Sequence, residues 1–206
     1  MRMTSLYYPL KIVESSFEVK GSEFLSYLVS IKHFTEFVAQ MRIKHPKAVH
    51  FVTSSRKFNP QRQIEESFSD DGEPKGTSGM PTLKVLRGYD LIECGLLVVR
   101  YFGGTLLGTG GLVRAYTQAT KDVIEKAKEQ GALQLYIPQE SLVIKIPFSA
   151  FSKAEYWIKK LEIQIVQKEF LQEGVQLELE ANLENLQAFL GKIESHKRIA
   201  FTVVLS

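Results

Sequence analysis

Residues 175–181 read Val-Gln-Leu-Glu-Leu-Glu-Ala, with Val175, Leu177, Leu179 and Ala181 alternating against Gln176, Glu178 and Glu180. A period of two puts every apolar side chain on one face and every polar one on the other, the pattern of a strand with one buried and one wet face. Working outward, Glu173-Gly174 supplies a turn before it, and Ile163 and Ile165 start another strand upstream. Leu142, Ile144 and Ile146 alternate as a third. Between them Ser149 is the expected cap of a helix with the stripe Phe151, Ala154, Ile158 and Leu161. Downstream, Asn182 caps a helix striped by Leu183, Leu186, Leu190 and Ile193, and Ile199, Phe201, Val203 and Leu205 close with a strand. The order is β-α-β-β-α-β, the ferredoxin-like split arrangement, with helices on one side of the sheet only. RNA-recognition domains share this topology but need exposed strand aromatics to stack bases. The wet face of 175–181 offers Gln and Glu instead.

A long helical pattern ends at Gly131 and Pro138 follows, so the boundary between two domains, 1–135 and 138–206, is placed there. In the first, Ile12–Val19 and Phe24–Ile31 read as paired strands joined at Lys20-Gly21-Ser22. Phe34, Phe37, Val38 and Met41 stripe a helix that stops before Pro46, and Val49–Thr53 is a strand. Ser54–Gly79 reads as a long polar loop, Pro81–Arg87 as a short helix and Leu96–Phe102 as a buried strand. Thr109–Gln130 is a long helix whose Leu112, Ala115, Tyr116, Ala119, Val123 and Ala127 face inward. The fold class is α+β, in two domains.

The 206 residues are 44% hydrophobic and 24% charged, ordinary values for a globular chain with a real core. One cysteine, Cys94, excludes an intramolecular disulfide and a four-cysteine zinc site, and suits a reducing, cytoplasmic setting. The N-terminus does not read as a signal peptide. The strongest apolar run, Leu91–Phe102, is broken by Glu93 and Arg100 and is too short to span a bilayer, so no membrane partner is expected. Net charge is +3, of which residues 1–137 carry +4 and 138–206 carry −1. The first part is mildly basic, short of the bias of a dedicated nucleic-acid binder.

Two segments carry candidate chemistry. In Phe102–Ala115, FGGTLLGTGGLVRA, a buried strand runs through Gly103 and Gly104 to a helix start at Gly108-Thr109-Gly110-Gly111. Free N–H groups and the dipole at a helix start favour an anion. Thr109 is placed to cap or to donate, and Arg100 and Arg114 to clamp a phosphate. Equally, the glycines serve only to let strand, turn and helix pack closely, and the pattern is neither a Walker nor a Rossmann fingerprint. In Phe68–Pro81, FSDDGEPKGTSGMP, the carboxylates of Asp70, Asp71 and Glu73 precede Lys75. They could ligate Mg²⁺, but their spacing is not that of an EF-hand, and Asp-Gly and Glu-Pro are ordinary turn chemistry. A turn is the favoured reading; internal salt bridges to Lys75, Arg62 or Arg56 and a bound metal stand level as alternatives, and no metal ligand or cofactor is assigned. His50 is expected to be structural and beside these segments, His33, His45 and His196 at the surface, and Cys94 in the core. Arg56, Lys57, Arg62 and Phe58 mix with Glu65 and Glu66 as a solvated loop. No catalytic residue is assigned.

FSDDGEPKGTSGMP followed by VVRYFGGTLLGTGGLVRAY resembles the signature of the IMPACT/YigZ family, and the likeness extends to Gly21–Phe24, His45-Pro46 and His50. The resemblance implies a first domain like the second domain of a small-subunit ribosomal protein, a fold also seen in elongation factor G and the GHMP kinases. It implies a second domain like the ferredoxin-like one at the end of that elongation factor. Eukaryotic relatives are translation regulators, so the implied function is a translation-linked binding protein acting on ribosome, RNA or a translation factor. The alternative is an enzyme acting on a nucleotide or phosphate ester. In either case Arg100, Gly103, Gly104, Gly108, Thr109, Gly110, Gly111 and Arg114 would form one wall of a cleft. Asp70, Asp71, Glu73 and Lys75 would form the other, with His50 beside them.

Overall fold

The computed structural model describes residues 5–194 and the backbone of 202–204. His196, Ile199, Phe201 and Leu205 lie outside the described residues. The chain divides into two compact units, Met1–Tyr136 and Ile137–Ser206.

The first unit is built on β2 (Val13–Val19), β3 (Ser22–Ser30), β4 (His50–Phe58), β5 (Ile64–Ser69) and β6 (Cys94–Tyr101), after a short β1 (Tyr7–Pro9). They form one antiparallel sheet in the order β2-β3-β6-β4-β5. Central β6, CGLLVVRY, is buried along almost its whole length. That is why it reads as an unbroken apolar run rather than an alternating one: both of its faces are covered. Leu96 and Val98 join Phe24, Leu28 and Val52 under α2 (Gly79–Gly88) and α3 (Gly108–Glu129). Leu97 and Val99 join Tyr27 and Phe51 under α1 (Ile31–Lys44). All six residues expected on the inner face of α3 are buried. After α3, β7 (Leu133–Leu135) returns to pair with β1.

The stretch 54–79 departs from the expected loop. β4 continues to Phe58, and β5 pairs back onto it. The segment lacks an apolar period because its strands satisfy one another with polar groups. Lys57 and Arg56 face Glu65 and Glu66 in register and form ion pairs of 3.3 and 2.9 Å, and the Ser55 and Ser67 hydroxyls meet at 2.8 Å. Opposite charges directly across a sheet stabilise the pairing. His45 is also not at the surface: it is buried at the end of α1, with Nδ1 2.8 Å from the Tyr101 hydroxyl.

The second unit runs β8 (Glu140–Pro147), α4 (Phe148–Lys160), β9 (Gln164–Phe170), β10 (Gly174–Ala181), α5 (Leu183–Glu194) and β11 (Thr202–Val204). Its sheet has the order β11-β8-β10-β9, all neighbours antiparallel. Val175, Leu177, Leu179 and Ala181 are buried against Ala150, Ala154 and Ile158 of α4 and Leu186, Phe189 and Ile193 of α5. Asn182 caps α5 as expected, its Oδ1 accepting from the Asn185 N–H at 2.8 Å. Two details differ. Ser149 lies inside α4, since Pro147 holds the capping position with an extended backbone. Leu183 faces solvent and Phe189 fills the core instead, because the cap at Asn182 turns the first helical residue outward.

Candidate functional site

The end of β6 carries Arg100, whose register partners are Phe24 on β3 and His50 on β4. Residues directly opposite share a face, so these three look toward α3. Tyr116 of α3 comes down onto them, its ring edge-on to Phe24 at 5.1 Å. The turn after β5 threads Glu73 into the middle. Arg100 donates through Nη1 to Glu73 Oε1 at 2.6 Å, and the Tyr116 hydroxyl donates to the same oxygen at 2.8 Å. His50 Nε2 stands 3.8 Å from it. His50 Nδ1 lies 2.8 Å from the Asp71 carbonyl, which only accepts, so that nitrogen carries the proton. Burial pushes the Tyr116 hydroxyl far up, and the Glu73 carboxylate beside it adds to the shift, so Tyr116 remains a donor. Among the described residues, Arg100 Nε is buried without an acceptor.

The acidic turn is organised from within. Asp70 Oδ1 accepts from the Gly79 and Ser78 N–H groups and the Ser78 hydroxyl, and Oδ2 accepts from the Gly76 N–H at 2.8 Å. The carboxylate thus serves the first turn of α2. Burial acts to raise the Asp70 pKa, but the donors of Gly76, Ser78 and Gly79 outweigh it and hold it below the usual carboxylate range. Asp71 fastens the turn to the sheet: Oδ2 accepts from the Phe51 N–H and Oδ1 from Arg42, both at 2.6 Å. Lys75 is exposed. Among the described residues no group of three or more His, Cys, Asp and Glu could hold a metal ion.

The glycine segment divides in two. Gly103 is a packing residue, since a Cβ there would fall 1.9 Å from the Gly21 carbonyl carbon. Its N–H donates to Ser22 Oγ at 3.2 Å, tying the β2–β3 hairpin to the turn. Gly104 and Gly108 take positive φ, +81° and +71°, with open space around them. Leu107 stands at the capping position of α3, so Thr109 belongs to the first turn and does not cap it. Gly111 and Arg114 line a cleft of about 440 Å³ with the capping residue Leu107, Ala115 and Gln118 of α3, and Phe17, Val19 and Lys20 of the hairpin.

The site residues therefore fall into three places. Arg100, Glu73 and His50 meet in the buried cluster, Asp70 and Asp71 brace the turn, and Gly111 and Arg114 border the open cleft. The cleft's far wall is the β2–β3 hairpin, not the acidic turn. Lys20 was legible in the sequence only as a turn residue. Tyr116 was legible only as an inward apolar position, since a hydroxyl on a helical stripe gives no sign of the carboxylate beneath it.

Residues 20–124, half of the chain, match the Impact N-terminal domain. The chain belongs to the IMPACT family. An IMPACT family member from Haemophilus influenzae is 29% identical over 194 residues, 93% of this chain and 92% of that protein. The Escherichia coli IMPACT family member YigZ is 38% identical over 125 residues, 59% of this chain and 60% of its own. The Bacillus subtilis member YvyE is 30% identical over 174 residues, 82% of this chain and 74% of its own. A crystal structure described as a hypothetical protein superimposes with a TM-score of 0.78 at 28% identity, over 99% of this chain and 98% of that one. The IMPACT-like fold therefore extends through both units. The buried cluster and the acidic turn lie within the stretch matched to the IMPACT domain, as does the cleft except for Phe17 and Val19. No helix among the described residues is long and apolar enough to cross a membrane.

Proposed function

We propose that this IMPACT family member is a translation-linked regulatory or binding protein that engages the ribosome or RNA through the glycine-turn face of its first unit. One observation carries the reading. Among the described residues, the cleft beside the first turns of α3 is lined by Lys20 and Arg114 and by no carboxylate. Two cations at the positive end of a long helix suit a phosphate. The cations nearer the sheet are already matched: Arg100 to Glu73, Arg56 to Glu66 and Arg42 to Asp71.

The finer fold reading accords with this. The β-α-β-β-α-β order and antiparallel β11-β8-β10-β9 sheet of the second unit support a ferredoxin-like domain resembling the last one of elongation factor G. The first unit is taken as similar to the second domain of a small-subunit ribosomal protein. The reading places the protein in the cytoplasm. Ribosome co-sedimentation at low and moderate salt tests it, since phosphate contacts release counterions and weaken as salt rises.

A second reading, a nucleotide- or phosphate-ester-binding enzyme using the same cleft, is favoured by the cleft's size. About 440 Å³ lies within the small-ligand range. Calorimetry with ATP or GTP and Mg²⁺ decides it: heat of binding that Arg114→Glu abolishes supports this reading, and its absence removes it.

A further inference from the structure

The cleft on the hairpin side of α3 has a counterpart on the opposite side. A second cleft of about 390 Å³ opens between α2 and α3 and is lined by Lys84, Lys121 and Tyr89 over an apolar floor of Pro81, Val85 and Val113. The two share one composition. The first presents Lys20, Arg114 and the ring of Phe17, and the second presents Lys84, Lys121 and the ring of Tyr89. Among the described residues, neither lining includes a carboxylate. All four cations are exposed, and none forms an ion pair among the described residues. The acidic groups of this stretch of α3 are engaged locally. Asp122 accepts from Gln118 at 2.7 Å, and Glu125 accepts from Lys128 at 3.2 Å and from the Tyr89 hydroxyl at the rim of the second cleft.

We propose that α3 is a basic ridge straddled by a single strand of RNA, with backbone phosphates held in the clefts on both sides of the helix. Paired cations select for phosphate, and each cleft adds a partly buried ring against which a base packs; at Tyr89 one face is already taken by Lys128, 4.2 Å from the ring centroid, so only the remaining ring surface serves. An acidic peptide would satisfy the cations but has no use for the rings. A helix with its side chains is about 10–12 Å across, a width one strand crosses in a few nucleotides. The inference rests on the RNA reading above and adds to it a second cleft, which no motif in the sequence marked.

Fluorescence anisotropy with a labelled single-stranded oligouridylate, titrated with the full chain over a range of salt, tests it. Four phosphate contacts on a single strand give a slope of log K against log salt of about −3. The double variant Lys84→Glu/Lys121→Glu is expected to weaken binding about tenfold or more at low salt and roughly to halve that slope. Its urea midpoint should match that of the wild type, because both residues are exposed. The control Lys159→Glu/Lys160→Glu, an equal charge change on the second unit, should leave binding within about twofold. Wild-type affinity and slope in the Lys84/Lys121 variant, alongside a loss in Arg114→Glu, would overturn this inference and leave the earlier reading standing. An equal loss in the control, or equal binding of polyglutamate of matched charge, would also overturn it. No binding by the wild type would overturn this inference, and ribosome co-sedimentation would then decide the earlier reading by itself.

Discussion

Glu73 and Arg100 lie 27 positions apart in sequence and form a 2.6 Å ion pair whose side chains are 2% and 6% exposed. The contact joins the acidic turn to the central strand. It explains why two segments that look like separate functional motifs belong to one structural element. Glu73 also takes the Tyr116 hydroxyl, so strand, turn and α3 meet on a single carboxylate oxygen.

Removing one partner of such a pair leaves the other buried and uncompensated. Glu73→Ala is expected to cost about 3–5 kcal/mol of stability, measured by urea unfolding. Glu73→Leu/Arg100→Met, which removes both charges, should cost less than the sum of the single changes. Additive losses would mean that the two side chains do not act as a pair.

The glycines of the turn are not equivalent. At Gly103 a Cβ falls 1.9 Å from the backbone of Gly21 in the hairpin turn, and the two turns cannot separate without losing the Gly103 N–H to Ser22 Oγ bond. Gly103→Ala should therefore destabilise by about 1–3 kcal/mol or more. At Gly110, in the first turn of α3, the nearest atom is the mobile Arg114 Nη1 at 3.7 Å. Gly110→Ala should be neutral or stabilising by up to about 1 kcal/mol. Thermal midpoints of the two variants check both signs.

Asp70 makes the fold acid-sensitive. Its folded pKa is depressed, so the stability it supplies is fully present above its unfolded value and is lost as pH falls through the lower folded value. Asp70→Asn should therefore be clearly less stable than wild type at pH 7, and the gap should narrow below about pH 4. Urea midpoints of both proteins at pH 7 and pH 3 measure it.

Cys94 is fully buried, and burial pushes its thiol up to about 12. Native protein at pH 8 should resist a disulfide exchange reagent and react with one equivalent only after unfolding.

The second unit was largely readable because its strands alternate. VQLELEA states which side chains go inside, and the structure buries those same four. The segment 54–69 was not readable, because a strand pair held by Arg56–Glu66, Lys57–Glu65 and serine hydroxyls has no hydrophobic period and looks like solvated loop. The site was half visible. Glycines and acids announced that something was built at 70–79 and 103–111, but sequence cannot separate a carboxylate that caps a helix, like Asp70, from one that waits for a ligand. Nor could it show that Arg100 turns inward to Glu73 while Arg114 stays exposed in a cleft with Lys20. That separation of neighbouring arginines is a tertiary fact: one lies on a doubly covered strand, the other on the wet face of a helix.

Arg114 is where the functional account is most directly tested. It is exposed and borders the cation-lined cleft, so reversing its charge should leave the fold intact. The measurement is co-sedimentation with ribosomes at low and moderate salt, wild type beside Arg114→Glu with an unchanged unfolding midpoint. The account predicts that wild type pellets with ribosomes at low salt and progressively less as salt rises, and that the variant stays in the supernatant. Pelleting that neither salt nor Arg114→Glu alters, or no pelleting by wild type at any salt, would contradict it.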